Sequence, residues 1–188
     1  MKKLNNKIIL IGGTAGTGKT TLAKEISNSM NITHRLGTGF IREILRSYLK
    51  KEQFPALYSY TFRPENPENL ETVFKEQARL VCKSVNSAIK RAYDEGTSIV
   101  IEGNHLLPEY LDLSKVSLFL ILDCNVEDIK KRIVGLTHSK RVILESDFDN
   151  ILKIGKIITE SAKLHNIPVL NNEDIKASIE SIKQKCNI

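Results

Sequence analysis

Residues 13–20 read Gly-Thr-Ala-Gly-Thr-Gly-Lys-Thr, which meets the spacing G-x-x-x-x-G-K-[ST] without a mismatch. Glycine at positions 13, 16 and 18 permits a turn whose backbone N–H groups converge on one anionic centre, with the positive end of a following helix dipole behind them. The flanks have the required character. Lys7-Ile8-Ile9-Leu10-Ile11 is a short, largely β-branched run that reads as a buried parallel strand, and Leu22, Ile26 and Met30 recur after the loop at helical spacing. Strand, glycine loop and helix in this order predict a phosphate cradle; a glycine turn with no ligand would not need that context. Gly13, Thr14, Ala15, Gly16, Thr17, Gly18, Lys19, Thr20 and Thr21 are therefore the expected nucleotide-binding residues. Lys19 would reach the β- and γ-phosphates, and Thr20 would ligate Mg²⁺.

The chain has 188 residues, enough for one α/β domain with a good core, and a single domain over 1–188 is expected. The formal charge of +6 is spread without a run of five or six like charges, which suits polyanionic small ligands and argues against a nucleic-acid tail. Cys82, Cys124 and Cys186 lie far apart and outside any metal-like spacing, so they read as reduced thiols of a cytoplasmic protein, with no zinc site implied. The apolar stretch after Lys2-Lys3 is too short for a secretory signal, and no segment is long enough to span a bilayer.

Further along, Thr33–Leu36 reads as a strand leading into Gly37-Thr38-Gly39, and Ile41, Ile44, Leu45 and Leu49 follow at helical spacing. Residues 54–67 hold three prolines and four aromatics with no period, a structured loop or broken helices over the mouth of a site. A long helix is predicted over Leu70–Asp94, closed by Glu95-Gly96. Strands are predicted at Ser98–Ile101, Val116–Leu122 and Ile167–Leu170, with helices over 126–134, 145–165 and 174–185. Alternation of this kind, with continuously apolar strands, specifies a five-stranded parallel sheet covered by helices on both faces, like that of nucleoside monophosphate kinases.

Ligands of such sheets sit at the carboxyl ends of the strands. That rule gathers the cradle, residues 37–42, residues 102–105, Asp123 and Asn171-Asn172 into one neighbourhood. A guanine-reading Asn-Lys-x-Asp is absent, which lowers a signalling GTPase reading, whereas a small kinase needs only a cradle, Mg²⁺, an acceptor pocket and mobile arginines. Lys19, Glu102, Arg132 and Arg141 are the candidate catalytic residues. Glu102, ending a buried strand, would hold Mg²⁺ with Thr20 or accept the acceptor's proton, unless it only caps the following loop. Arg132 and Arg141 flank a polar segment at 135–141 with the composition of a short lid, or else they are surface arginines. Arg42, Thr38 and His105 are the candidate acceptor-binding residues; a solvated helix arginine and a plain loop histidine are the competing readings. Asn171 is placed to border the base, although a simple turn explains the Asn pair equally well.

Four blocks together resemble 2-phosphoglycerate kinase and its archaeal relatives: residues 9–21, Thr38-x-Phe40-Ile41-Arg42-Glu43, Ile99–Leu106 with Pro108, and Ile167-Pro168-Val169-x-Asn171. The resemblance covers nearly the whole chain. It implies transfer of the γ-phosphoryl of ATP, with Mg²⁺, to an alcohol of a small, already phosphorylated hydroxy-acid: 2-phosphoglycerate, or the mevalonate 3-phosphate that a related archaeal branch phosphorylates at its 5-hydroxyl. Family members generally carry an Asp directly before the residue matching Phe40, where this chain has Gly39, and its lid is shorter and poorer in arginine. Both departures shift the expectation away from 2-phosphoglycerate toward another acceptor. A nucleotide-binding regulatory module without catalysis, and a kinase acting on nucleic-acid ends, are the alternatives from other classes. The apolar faces are also compatible with a homodimer.

Overall fold

Period-two alternation divides the strand side chains between two layers. A computed structural model describes residues 6–134 and 144–172, with residues 176, 179, 180 and 182 beyond them. Strands β1 (Ile8–Gly12), β2 (His34–Gly37), β3 (Ile99–Gly103), β4 (Leu118–Asp123) and β5 (Val169–Asn171) form one parallel sheet in the order β2-β3-β1-β4-β5. The central strand β1 is buried along its whole length, as its unbroken apolar run requires.

Ile8 and Leu10 join a cluster with Phe74, Val81, Ile101, Ile121 and Ile154, while Ile9 and Ile11 join Leu22, Ile26, Val100 and Leu122 on the other face. The first face is covered by helices α2 (Thr38–Tyr48), α3 (Pro55–Tyr58), α4 (Leu70–Asp94) and α6 (Phe148–Leu164), and the second by α1 (Lys19–Ser29) with Ile179 and Ile182. Helix α5 (Val126–Val134) follows β4; its Ile129 and Ile133 pack with Ile151 of α6 and Ala15 of the glycine loop. Phe74 is fully buried in the α4 stripe, where truncation to Ala costs about 3–5 kcal/mol.

Three helices end alike and aim the chain into the next strand. After α4, Gly96 takes a left-handed conformation and Thr97 N–H donates to Ala92 O at 2.8 Å. Asn31 after α1 and Asn166 after α6 do the same, with Ile32 donating to Ser27 O and Ile167 to Ala162 O.

The expected sheet is present, with the expected helices up to α6 in order. The differences are local. Helix α2 begins at Thr38 directly after β2, so Thr38 and Gly39 form its first turn rather than a connecting loop. Residues 145–147 form a 3-10 turn that precedes α6, and residues 54–69 hold the short α3, a Tyr60–Arg63 bridge and a 3-10 turn. The lid expected at 135–141, with Arg141, and most of the helix expected over 174–185 lie outside the described residues. No helix among the described residues is long and apolar enough to cross a membrane.

Candidate functional site

The sheet register brings the strand ends level. Gly12 pairs with Gly103, Gly37 with Glu102, and Asp123 with Asn171, so the loops after all five strands open on one edge. At that edge the cradle is tightly fitted. Gly16 and Gly18 have φ of 80° and 88°, and a Cβ on Gly18 would lie 2.5 Å from Asn172 Nδ2. Thr17 Oγ1 donates to Thr14 O at 2.9 Å, and Thr14 Oγ1 donates to Ile151 O at 3.0 Å, which fixes the loop against α6.

Helix α1 starts at Lys19 with no side-chain cap and no acidic residue in its first turn, which leaves its leading N–H groups for an anion. Lys19 Nζ donates to Thr14 O at 2.5 Å, folded back over the loop. Burial pulls the Lys19 amine down from its ordinary value to about 8, against the Glu102 carboxylate, which holds it up.

Thr20 Oγ1 donates to Glu102 Oε1 at 3.0 Å. The two residues border a cleft of about 310 Å³ that runs from Ala15 and Lys19 to Thr38, Gly39, Phe40 and Glu43 of α2, with Phe62 on its wall. A hydroxyl and a carboxylate are hard oxygen donors, and Mg²⁺ is commonly held by one or two such protein groups plus substrate phosphates, so the pair fits that ion. Among the described residues no group of three or more His, Cys, Asp or Glu side chains could hold a metal on its own.

Thr38 is almost wholly buried yet lines the cleft, and its hydroxyl lies 3.0 Å from His105 Nδ1. Gly103 makes room for it: a Cβ there would stand 1.8 Å from Thr38 Oγ1. His105 itself is 2% exposed, is not among the residues lining the cleft, and among the described residues has no hydrogen-bond partner at Nε2. Burial, with positive potential from Arg42 and Lys19, pushes its imidazole down to about 3, so it is neutral at physiological pH.

Arg42 is also buried, and it does not line the cleft. Its NH1 donates to Thr61 Oγ1 at 3.0 Å, Thr61 donates to Gln77 Oε1 at 3.0 Å, and Gln77 Nε2 donates to the Ala56 and Ser59 carbonyls. The solvated helix arginine is thereby excluded. Gln77 sits in the apolar stripe of α4, where its period made it look like core, and its amide is what anchors the aperiodic segment.

At the nucleotide end, Asn172 rather than Asn171 reaches the cradle. Asn171 is exposed at the end of β5, whereas Asn172 is buried and its Nδ2 donates to Thr17 O at 2.7 Å. Arg132 NH2 donates to Asn172 O at 2.8 Å, so Arg132 packs beside Gly18 and is not a remote surface group. Lys19, Thr20, Glu102, Thr38, Arg132 and the cradle are thus one constellation.

Residues 9–153 match the family model described as an AAA domain. The chain belongs to that family. This AAA domain is 31% identical over 192 residues to the 2-phosphoglycerate kinase of Methanopyrus kandleri and 34% identical over 196 residues to that of Methanothermobacter thermautotrophicus. Both alignments cover 93% of the chain, which spans only 59% and 63% of those relatives. Among solved structures, the shikimate kinase of Acinetobacter baumannii in complex with shikimate superposes with a TM-score of 0.60 at 14% identity, covering 95% of this chain and 92% of that one. A sugar kinase from Janibacter gives 0.61 at 19% identity, covering 97% and 95%. At such identities the likeness establishes the fold, that of the P-loop kinases. The resemblance read from the sequence motifs is borne out by the curated relatives.

Proposed function

We propose that the chain is a cytoplasmic, ATP-dependent phosphotransferase that moves the γ-phosphoryl group to a hydroxyl of a small phosphorylated hydroxy-acid. The names of the curated relatives favour 2-phosphoglycerate as the acceptor; mevalonate 3-phosphate is the alternative that the sequence resemblance alone supplies. One observation carries the reading: the cradle and the Thr20–Glu102 pair border the same cleft as Thr38 and Phe40, so a nucleotide bound in the cradle would have its γ-phosphate beside room for an acceptor.

The N-terminal N–H groups of α1 and the loop amides hold the β-phosphate, and Lys19 leaves Thr14 O for the β- and γ-oxygens. Thr20 and Glu102 would hold Mg²⁺, which when bound neutralises charge on the β- and γ-oxygens. Arg132, beside Gly18, adds positive potential over the cradle, and Asn172 keeps Thr17 in place. Thr38, held by His105, offers its hydroxyl to the acceptor, while Arg42 makes the acceptor end electropositive without touching the open cleft. In a loose transition state, positioning and charge stabilisation outweigh a strong base, so Gly39 in place of a carboxylate is compatible with transfer.

The test is ADP release with 2-phosphoglycerate, mevalonate 3-phosphate, unphosphorylated glycerate and a 5′-hydroxyl oligonucleotide, with Lys19→Ala as control. Release that depends on a phosphorylated hydroxy-acid and disappears in the variant supports the proposal. Release with the oligonucleotide alone points to a nucleic-acid-end kinase, and ATP binding with no release for any acceptor points to a regulatory module.

A further inference from the structure

Two segments far apart in sequence are joined beside the cleft by bonds that none of the roles above requires. The Arg63 guanidinium makes a two-pronged contact with the Asp147 carboxylate, Nε to Oδ1 and NH2 to Oδ2, the latter at 2.6 Å. Asp147 is 3% exposed and also accepts from Leu144 N–H at 2.7 Å. One turn further along α6, Asn150 Nδ2 donates to Phe62 O at 2.9 Å. The Arg63 contact holds the Asp147 carboxyl below its ordinary range.

Phe62 is where these bonds converge. It lines the cleft that α2 also borders and packs on the cluster formed by Ile129, Ile133 and Ile151, which Ala15 of the cradle also touches. The residues on either side of it are held separately: Thr61 by Arg42 and Gln77, Arg63 by Asp147 and the Tyr60 bridge. A bidentate Arg–carboxylate pair with one buried partner fixes orientation as well as distance, which an exposed pair does not. An isolated apolar contact would let Phe62 slide along α6; a backbone bond at Phe62 and a two-pronged bond at Arg63 remove that freedom.

We propose that Asp147 and Asn150 are positioning residues: through Arg63 and the Phe62 carbonyl they set the distance between the phosphate cradle and the acceptor-side wall. The assignment rests on the kinase reading for its effect on turnover, but the geometry it asserts is independent of that reading. The first α6 turn then acts as a ruler, since Thr14 is fixed to Ile151 and Phe62 to Asn150, adjacent residues of one helix. Donor and acceptor are thereby referenced to the same piece of backbone. A displacement near 1 Å in such a site costs on the order of a hundredfold in rate, so the tie is functionally worth keeping.

The experiment compares Asp147→Asn and Asn150→Ala with the unaltered chain in two ways. Hydrogen exchange of residues 60–63 needs no turnover, and each substitution is expected to accelerate it by about tenfold while residues 13–20 keep their protection when ATP is bound. Steady-state kinetics is expected to show kcat at saturating acceptor lowered by on the order of a hundredfold with KM for ATP within about twofold. Unchanged exchange at 60–63, or an unchanged kcat, overturns the assignment. If the unaltered chain turns over no acceptor, the kinase reading fails, and the exchange at residues 60–63 still decides the positioning claim.

Discussion

The Thr20 hydroxyl and Glu102 Oε1 are 3.0 Å apart, so the first turn of α1 and the end of β3 meet at the point where the cradle opens into the cleft. Glu102→Gln keeps an acceptor for Thr20 and removes only the charge. Turnover is expected to fall by about a hundredfold or more, in line with the loss of a preorganised charge at a phosphoryl-transfer site, with little change in thermal stability. Rates measured across a Mg²⁺ titration check this, and a loss under about threefold would contradict it.

Lys19 gives the nucleotide-free protein a pH signature. Its folded pKa, about 8, lies below its ordinary value of 10.5, so between those limits the unfolded chain binds more protons and stability rises with pH. Below about pH 8 the buried charge opposes folding in full. Urea midpoints at pH 8, 9 and 10 should show an upward component in the unaltered chain that Lys19→Met lacks. Parallel pH profiles for the two proteins would refute the assignment.

Two glycines should respond in opposite directions to the same substitution. Gly103→Ala places a methyl 1.8 Å from Thr38 Oγ1 at φ 152°, and a loss of about 2 kcal/mol or more is expected, together with weaker acceptor use as Thr38 is displaced. Gly39→Ala meets nothing within 4 Å in the first turn of α2, and a gain of about 0.5–1 kcal/mol is expected. Chemical denaturation of the two variants measures both.

Asn172→Ala removes the bond to Thr17 O and the contact that seats Gly18, so KM for ATP should rise by about tenfold while KM for the acceptor changes little. Asn171, next to it, lies exposed at the end of β5. Separate initial-rate titrations of ATP and acceptor distinguish the two sites.

The contrast between those two asparagines shows where sequence reading stops. Strand β1, the glycine loop and α4 were legible because each carries its own period or spacing: an unbroken apolar run, fixed glycines, a stripe from Leu70 to Ala92 closed by Gly96. The choice of Asn172 over Asn171 depends on the pairing of β5 with β4, a relation between segments that no local pattern encodes. Arg63 and Asp147 lie 84 positions apart, and nothing in either neighbourhood announces the other. Arg42 was readable as a helix arginine near the mouth of the site, but its burial against Thr61, in the aperiodic stretch, is a contact that only the fold supplies. Local chemistry therefore pointed to the cradle, Glu102 and Thr38, while the contacts that hold Arg42, Phe62 and Asn172 come from tertiary packing.

The decisive measurement is transfer of isotopically labelled γ-phosphoryl from ATP to 2-phosphoglycerate, followed by phosphorus NMR. A labelled, doubly phosphorylated product that depends on Lys19 and Glu102 is expected. Label appearing only as inorganic phosphate, or remaining on ATP with 2-phosphoglycerate and every other phosphorylated hydroxy-acid, would contradict the kinase reading.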